Sequence, residues 1–550
     1  KNANEVILAT DDDREGEAIA WHICQTFKLN IQTTKRIIFH EITKKAILQA
    51  VNNPKRLNMN KVMAQQSRQI LDLIVGFTVS PVLWKYISRN AKKGLSAGRC
   101  QTPALNLVYE NEIEYQKHKG EKVYDTTGVF THKNILFKLQ KNFTEEKEVE
   151  SFLIKTIHFN HMLTVSDIKK VKKSAPKPLI TSTLQQKASN VYNFSPKSTM
   201  RMAQILYENG YITYMRTDNY KYSKEFVISA RKYIEKTFGE KYVNKSLGNK
   251  YTIQNSDNET KNNKKTSKQT NKKKDGKQDL AQEAHEAIRP TNILRETIPE
   301  KGKVGKYECK LYNLIWKTSV QSLMSSSIYN TINASITAPD TLKYKNKSLK
   351  NLFLGWEKLE NIDLNSEHFE YLETKQNEEV KVDYKNINSN VAVKKLKTHY
   401  TEARLVQLLE KYGIGRPSTF SSLVSKIMDR GYVEKTNIKG KKIKCNNYIL
   451  TKENAKVEKK QEQKVFGDEK NKLVLQPVGM MVIEFLNQHF TNLFNYNFTK
   501  EMEDMLDLIS KGELRWQKPC DDCREQLDIS IENITNTKSL HIEDDENCES

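Results

Sequence analysis

The stretch Gly210-Tyr211-Ile212-Thr213-Tyr214-Met215-Arg216-Thr217-Asp218 is the part of the sequence around which the rest is organised. It follows an amphipathic run over residues 198–209, in which apolar side chains recur at the spacing of a helix that ends at Asn209-Gly210. The β-branched and aromatic residues 211–215 then predict a short extended strand. Tyr214 therefore stands just past a predicted helix-to-strand junction, two residues before Arg216.

Tyr214 and Arg216 are candidates for a nucleophile and its electrostatic partner. A free tyrosine has a pKa of about 10 and is a poor nucleophile at neutral pH unless its surroundings activate it. The planar guanidinium of Arg216 could stabilise a phenolate and could also hold a phosphate. A tyrosine two residues from an arginine is nevertheless common, so the local sequence leaves open an ordinary pair of surface residues.

With its flanks, this stretch resembles the catalytic region of the type IA DNA topoisomerases, bacterial topoisomerase I in particular. The similar segments are Thr181-Ser182-Thr183-Leu184-Gln185-Gln186, Met202-Ala203-Gln204, Leu206-Tyr207-Glu208 and Tyr214-Met215-Arg216-Thr217-Asp218. The nucleophile of that family directly precedes Met-Arg, so the resemblance implies that Tyr214, and not Tyr211, is the nucleophile. Met215 favours the topoisomerase I branch, because the topoisomerase III branch usually has proline there.

The composition favours a polyanionic partner. The chain has 550 residues, enough for several domains, and 90 Lys and Arg against 67 Asp and Glu, a formal net charge of +23. The alternative is a genome biased towards Lys and Asn that inflates the charge. Seven scattered cysteines fit a reducing compartment, and the C-x-x-C of Cys520 and Cys523 lacks a second pair that would complete a zinc site.

The chain contains no uninterrupted apolar run near the roughly 18 residues that a membrane span needs, so we expect no membrane association. It starts at Lys1, close to a predicted strand, and we expect a fragment whose targeting peptide, if one exists, is out of sight. The expected location is a bacterial cytoplasm or nucleoid, or a DNA-containing organelle such as a plastid-like one or a mitochondrion. Secretion is not expected.

An acidic motif follows the first predicted strand. Residues 5–10 indicate a buried strand, residues 11–17 read Asp-Asp-Asp-Arg-Glu-Gly-Glu, and a helix is predicted from Ala18 to Phe27. Acidic side chains at the carboxyl end of such a strand lie where α/β sheets bind ligands, and neighbouring carboxylates repel each other unless a cation intervenes. The motif therefore fits a Mg²⁺ site, and it fits equally well a solvated acidic turn at a helix N-terminus.

The spacing Asp11-x-Asp13-x-Glu15 is similar to the acidic triad of the Toprim fold, which topoisomerases share with primases and some nucleases. The resemblance implies that Asp11, Asp13 and Glu15 hold Mg²⁺. The Toprim fold normally begins with a strand that carries a catalytic Glu and, in this subfamily, a Lys shortly after it. Those residues would lie upstream of Lys1, so we expect an incomplete Toprim site in this chain.

Two glycine-punctuated segments are candidates for phosphate contacts. Residues 94–102 form a loop that opens a helix, where backbone amides and Arg99 could cradle a phosphate, although a plain capped helix is the local alternative. A second helix is predicted from Thr401, its N-cap, to Tyr412. Glycines then allow close backbone approach and Pro417 is predicted to start the next helix, although a plain helix-turn-helix is the local alternative.

The resemblance extends these candidates to a set of site residues. It implies that His285 lies at the scissile phosphate together with Tyr214 and Arg216. The DNA-binding residues that it implies are Arg36, Arg68, Arg99, Gln101, Arg289, Arg416, Ser418 and Thr419.

The fold class that follows is a multidomain α/β and α+β protein, with a truncated, Rossmann-like Toprim domain and a toroidal type IA core that carries a β-rich arch. Residues 249–277, a low-complexity run of Lys, Asn, Thr and Gln, are expected to be a disordered insert. The predicted ranges are 1–57 for the C-terminal part of the Toprim domain, 58–118 and 399–517 for two segments of a helical DNA-binding domain, 119–175 and 300–398 for two segments of the arch, 176–299 for the catalytic tyrosine domain and 518–550 for a tail.

The expected function is relaxation of negatively supercoiled DNA. A monomer would cleave one strand in a single-stranded segment through a 5′-phosphotyrosine, pass a strand and religate. No ATP is expected, since the sequence has no G-x-x-x-x-G-K-[ST] loop. One alternative is a DNA-binding clamp without relaxation activity, because the first Toprim strand is missing. Another is a Toprim nuclease or primase, which is disfavoured because those proteins lack Tyr-Met-Arg-Thr-Asp.

Overall fold

A computed structural model describes residues 3–88, 94–253, 286–360, 362 and 365–545, without the side chains of 247–249 and 536–545. The strands are β1 (Ile7–Leu8), β2 (Lys35–Arg36), β3 (Glu121–Phe130), β4 (Ile135–Leu139), β5 (Met162–Val165), β6 (Lys169–Lys173), β7 (Ser327–Thr337), β8 (Lys343–Phe353), β9 (Val380–Lys381), β10 (Tyr384–Lys394), β11 (Val433–Ile438), β12 (Lys441–Thr451), β13 (Val457–Phe466) and β14 (Glu469–Leu475). The helices are α1 (Arg14–Phe27), α2 (Lys44–Asn52), α3 (Met59–Tyr86), α4 (Gln101–Lys117), α5 (Glu146–Thr156), α6 (Thr181–Tyr192), α7 (Pro196–Glu208), α8 (Lys224–Phe238), α9 (Lys245–Lys250), α10 (Lys306–Ser322), α11 (Glu367–Glu373), α12 (Glu402–Tyr412), α13 (Phe420–Asp429), α14 (Pro477–His489), α15 (Thr491–Phe494), α16 (Tyr496–Lys511) and α17 (Gln517–Asp545).

The first segment is a small α/β unit in which β1 and β2 pair in parallel and α1 crosses between them. Helix α1 begins at Arg14, four residues before the predicted start at Ala18. The reason is the side chain of Asp13, which accepts a hydrogen bond from the backbone N–H of Gly16 at 2.7 Å and so caps the helix within the acidic motif. Glu15 and Glu17 therefore belong to the first turn of the helix and Asp13 is its cap, whereas Asp11 and Asp12 lie in the loop ahead of it.

A helical base is formed by two distant parts of the chain. Helices α3 and α4 pack against α12, α13, α14 and α16 around one apolar core. Thr401 caps α12 through the N–H of Arg404, as predicted. Pro417 does not start the next helix, which begins at Phe420, because residues 416–419 close a tight turn in which the N–H of Thr419 donates to the carbonyl of Arg416.

Ten strands form one sheet in the order β13-β12-β10-β3-β4-β8-β7-β5-β9, with β6 paired to β7. The two strand-rich segments of the sequence meet where β3 pairs antiparallel with β10. The hairpin of β12 and β13 extends this sheet through β10, although the sequence placed residues 441–466 in a helical segment. In β12, Cys445, Tyr448 and Leu450 are buried in the core beneath this sheet, whereas β13 is mostly polar and has no buried residue.

The helices α6, α7, α8 and α10 enclose a separate core that contains Tyr214 and Met215. Helix α7 agrees with the predicted run, but the strand predicted over 211–215 is wrong. Within the described residues this segment forms one isolated bridge, Ile212 with Pro290. The ladder does not continue, because the N–H of Tyr211 donates to the carbonyl of Leu206 and the N–H of Arg289 to the hydroxyl of Thr213, instead of to the facing carbonyls.

Part of the predicted insert over 249–277 is ordered, since Thr252 bridges to Tyr222 and Tyr251 is buried. From residue 254 onwards the insert lies outside the described residues. Among the helices that the structure describes, none is both long and apolar enough to cross a membrane.

Candidate active site

The Tyr214 hydroxyl donates a hydrogen bond to Oδ2 of Asp13 at 2.7 Å, although 201 residues separate the two in the chain. Tyr214 is only 3 % exposed, and the edge of its ring packs against Tyr207 with the ring centroids 5.2 Å apart. The backbone N–H of Tyr214 donates to the carbonyl of His40 at 2.8 Å. The tyrosine is thus held against the first segment by both its side chain and its backbone.

The turn before Tyr214 depends on Gly210. Its φ is +70°, a left-handed conformation that glycine adopts without strain, and it ends α7. A Cβ at this position would lie 2.4 Å from the carbonyl oxygen of Ile42. On the other side of the segment, the N–H of Thr213 donates to the carbonyl of Arg289 at 2.9 Å. The tyrosine segment is therefore enclosed between residues 40–42 and residues 287–291.

The two oxygens of Asp13 have different roles. Oδ1 caps α1, and Oδ2 accepts from both the Tyr214 hydroxyl and Nη1 of Arg216, the latter at 3.3 Å. The loop folds closely over Gly16, where a Cβ would lie 2.1 Å from the carbonyl oxygen of Asp11. Helix α1 and its cap therefore fix the carboxylate that faces the candidate nucleophile.

Burial and then the charge of Asp13 raise the pKa of Tyr214, although Arg216 acts in the opposite direction. Burial and then Asp13 also raise the pKa of Asp11. The phenol is therefore protonated in this arrangement, and Asp13 is the hydrogen-bond acceptor placed to receive its proton. A positive charge next to Asp11 and Asp13 would lower the pKa values of Tyr214 and Asp11.

The donor chemistry fits Mg²⁺ in part. Asp11 and Asp13 are close enough for mutual repulsion to raise the pKa of Asp11, and Mg²⁺ is commonly held by one or two carboxylates with water and phosphate oxygens. Glu15 instead faces α3, where Oε1 accepts from Arg68 at 2.8 Å and Oε2 from Gln65 at 3.2 Å. Over the described ranges, no three His, Cys, Asp or Glu side chains are arranged to hold a metal ion. The predicted triad stays a prediction, with Asp11 and Asp13 its better supported members.

A cleft beside Asp13 is lined by four arginines, each paired with a carboxylate. Arg216 pairs with Asp13 and Arg68 with Glu15. The other two pairs are Arg14 with Asp507 and Arg416 with Asp507. The cleft also contains Ser418, so three predicted DNA-binding residues, Arg68, Arg416 and Ser418, share a cleft with Asp13, which contacts the candidate nucleophile. Guanidinium groups are suited to bind phosphodiesters.

Three predicted DNA-binding arginines are buried in this structure. Arg36 pairs with Glu17 at 3.0 Å and donates to the carbonyl of Asp11 at 2.7 Å, so it supports the acidic loop. Arg289 pairs with Glu286 and with Glu41 at 3.1 Å. The same holds for Arg99, which pairs with Asp72 and with Glu503 on α16. Their DNA contacts stay predictions, and each would require these ion pairs to open or to be shared.

The remaining predicted residues lie apart from Tyr214 or outside the described residues. Gln101 and Thr419 line a groove of about 840 Å³ over α3 and α13. His285 lies outside the described part of the chain.

Sequence reasoning missed two kinds of site residue. Phe77 and Trp84 line the same groove as Gln101 and are 76 % and 45 % exposed, which suits stacking against unpaired bases. Glu503 and Asp507 on α16 line the arginine cleft. Their spacing of four residues indicates one helix face, but the sequence does not indicate which cations that face meets.

Comparisons with known proteins identify the family of this chain. A sequence profile of the family described as "DNA topoisomerase" matches residues 56–446, and one described as "Toprim domain" matches residues 1–42. The chain is 37 % identical over 530 residues to "DNA topoisomerase 1" of Haemophilus influenzae, covering 94 % of this chain and 53 % of that protein. For the protein of the same name from Vibrio cholerae, the values are 35 % identity over 553 residues, 98 % of this chain and 55 % of that protein.

Among solved structures, full-length topoisomerase I from Thermotoga maritima is similar, with a TM-score of 0.74 and 31 % identity over 96 % of this chain and 78 % of that one. This likeness confirms the fold class predicted from the sequence. The chain spans about half the length of the curated relatives from Haemophilus influenzae and Vibrio cholerae, 53 % and 55 % respectively.

Proposed function

Because this chain belongs to the type IA DNA topoisomerases of the bacterial topoisomerase I branch, we propose that it changes DNA topology by transient cleavage of a single strand. The observation that carries this proposal is the hydrogen bond from the Tyr214 hydroxyl to Asp13 at 2.7 Å. It joins the predicted nucleophile to the predicted acidic motif in one buried site.

In the proposed cleavage step, Oη of Tyr214 attacks a phosphorus of the DNA backbone and the bond from that phosphorus to the 3′ oxygen breaks. The phenol proton passes to Asp13, which already accepts a hydrogen bond from it, and the departing 3′ oxygen takes a proton from solvent water to become a hydroxyl. The 5′ phosphate stays on Tyr214. Religation is the reverse reaction, and because one phosphodiester replaces another, no nucleotide is consumed.

Arg216 would stabilise the charge that develops on the phosphate, since its Nη1 lies 3.3 Å from the Asp13 oxygen that faces Tyr214. Mg²⁺, when held by Asp11 and Asp13 with water and phosphate oxygens, would supply positive charge that offsets these two carboxylates. The pKa of Tyr214, now raised by burial and by Asp13, would fall as that repulsion is offset.

Strand passage requires the tyrosine segment to separate from the first segment while DNA remains attached. The contacts between them include the hydrogen bonds from Tyr214 and Arg216 to Asp13, the N–H of Tyr214 to the carbonyl of His40, the pair of Arg289 with Glu41 and the exposed pair of Lys45 with Glu225. The exposed pair contributes roughly 0–1 kcal/mol, so the contacts to Asp13, His40 and Glu41 set the cost of opening.

The proposed substrate is a single-stranded segment of negatively supercoiled DNA, bound by a monomer in the bacterial cytoplasm or nucleoid or in a DNA-containing organelle. The groove with the exposed rings of Phe77 and Trp84 supports single-stranded DNA, since stacking needs unpaired bases. The arginine cleft supports contacts to its backbone.

The test is Tyr214→Phe, which removes the nucleophilic oxygen and leaves the ring in place. Wild-type protein should form a covalent adduct with a single-stranded oligonucleotide and relax a negatively supercoiled plasmid in Mg²⁺, and the variant should do neither. Tyr207→Phe is the matched control, because it removes a hydroxyl from the neighbouring ring. An adduct of equal yield from Tyr214→Phe would refute the proposal, and a wild-type protein that binds DNA without an adduct would be a clamp.

A further inference from the structure

Asp507, a half-buried residue of α16, pairs with two arginines from different elements of the fold. Its Oδ1 contacts Nη2 of Arg14, the first residue of α1. Its Oδ2 accepts from Arg416 through Nη2 at 2.8 Å and through Nε at 3.3 Å. A single carboxylate therefore holds two guanidinium groups from two walls of the cleft.

Arg14 connects this carboxylate to the candidate nucleophile. It lies in the chain between Asp13, whose Oδ2 accepts from Tyr214, and Glu15, which pairs with Arg68. A restraint on Arg14 is thus a restraint on the first turn of α1, where Asp13 is the cap. Asp507 therefore acts on the first turn of α1 through Arg14.

Affinity for DNA does not explain a carboxylate at this position. A negative charge beside bound phosphates repels them, so a cleft that only had to bind DNA would do better without it. Two guanidinium groups that share no counter-ion also repel each other and keep their rotational freedom. A shared carboxylate removes both problems. Among the described residues Arg14 donates to Asp507 through Nη2, which leaves its other N–H groups for phosphate oxygens. Arg416 also donates to Asp504 and to the carbonyls of Gly413 and Gly415, so it would share those donors with DNA.

We propose that Asp507 is a positioning residue for the cleavage and religation steps, one that holds Arg14 and Arg416 in the geometry that receives the DNA backbone and thereby keeps Asp13 under the Tyr214 hydroxyl. This inference rests on the proposed function. It gives α16 a part in the chemistry, although α16 carries none of the residues that would touch the reacting atoms.

The test is Asp507→Asn, which keeps the shape of the side chain and removes its charge. At a saturating concentration of a single-stranded oligonucleotide, the rate of adduct formation should fall by on the order of tenfold, because small errors in position are costly in a preorganised site. The dissociation constant for the same oligonucleotide should be unchanged or lower, since a repulsive charge is gone. Asp507→Glu, which restores the charge, should recover a large part of the rate.

The matched control is Asp504→Asn. Asp504 lies one turn earlier on α16 and pairs with Arg416 at 3.1 Å without reaching Arg14, so its rate should stay within about twofold of wild type. A purely structural role for Asp507 would instead lower the thermal midpoint and weaken DNA binding while the rate at saturation stays unchanged.

An Asp507→Asn rate at saturation equal to that of wild type or of Asp504→Asn would overturn the inference while the proposed function stands. A wild-type protein that forms no adduct dependent on Tyr214 would overturn the proposed function, and the inference with it.

Discussion

Substitution of Gly210 by alanine should move Tyr214 away from the acidic motif, although it changes no side chain of either. Gly210 has a φ of +70°, which costs a residue with a Cβ about 1–2 kcal/mol. The added Cβ would also lie 2.4 Å from the carbonyl oxygen of Ile42, whereas ordinary contact begins at 3.4 Å. The two segments must therefore separate by about 1 Å at this point.

That displacement acts directly on the site. Ile42 lies two residues after His40, whose carbonyl accepts from the N–H of Tyr214 at 2.8 Å. A shift of about 1 Å in the position of a reacting group can cost on the order of 100-fold in rate. We therefore expect Gly210→Ala to slow adduct formation about 100-fold, with little change in affinity for DNA because the arginine cleft is untouched.

The assay is single-turnover adduct formation on an end-labelled single-stranded oligonucleotide, with thermal unfolding measured in parallel. Gly302→Ala is the matched control, because Gly302 has a similar φ of +63° and nothing lies within 4 Å of the position of its Cβ. Gly302→Ala should lower the free energy of unfolding by the cost of its left-handed backbone and should cleave DNA at the wild-type rate. A Gly210→Ala rate within threefold of the Gly302→Ala rate would refute the argument that this contact positions Tyr214.

Two further predictions concern stability. The ring nitrogens of His399 lie 3.1 Å from Glu112 and 3.0 Å from Glu469. Burial lowers the pKa of His399, but the hydrogen bonds to the two carboxylates outweigh burial and the pKa is raised. The contribution of His399 to the free energy of unfolding is therefore fully present below about pH 6.5 and is lost as the pH rises through the higher pKa of the folded state. In urea unfolding, the free-energy difference between wild type and His399→Gln should shrink from pH 6 to pH 9. A constant difference would contradict this prediction. Both amide atoms of Gln185 are buried and have no hydrogen-bond partner among the residues that the structure describes. Gln185→Met should therefore raise the free energy of unfolding by about 1–3 kcal/mol, whereas a loss of stability would show that the amide is satisfied.

Contacts between neighbouring residues made part of the local structure predictable from the sequence. The helix that ends at Gly210 and the cap at Thr401 depend on contacts within four residues, and both were predicted correctly. The start of α1 and the role of Pro417 were predicted wrongly, because in each case a tight local turn decides the geometry. The strand at 211–215 fails in part for a non-local reason, since the N–H of Arg289 donates to the hydroxyl of Thr213 and not to its carbonyl.

The sequence by itself determined the family, the fold class and the pair of motifs that carry the chemistry, because these are properties of residue type and order. It did not determine which cations remain accessible. Arg99 and Arg289 look like phosphate ligands in the sequence, yet in the structure each is buried against carboxylates, and Arg14 meets a partner 493 residues away. Ion pairs between distant segments depend on how the domains pack, and the energy of each pair depends on its burial, so only the tertiary structure decides them.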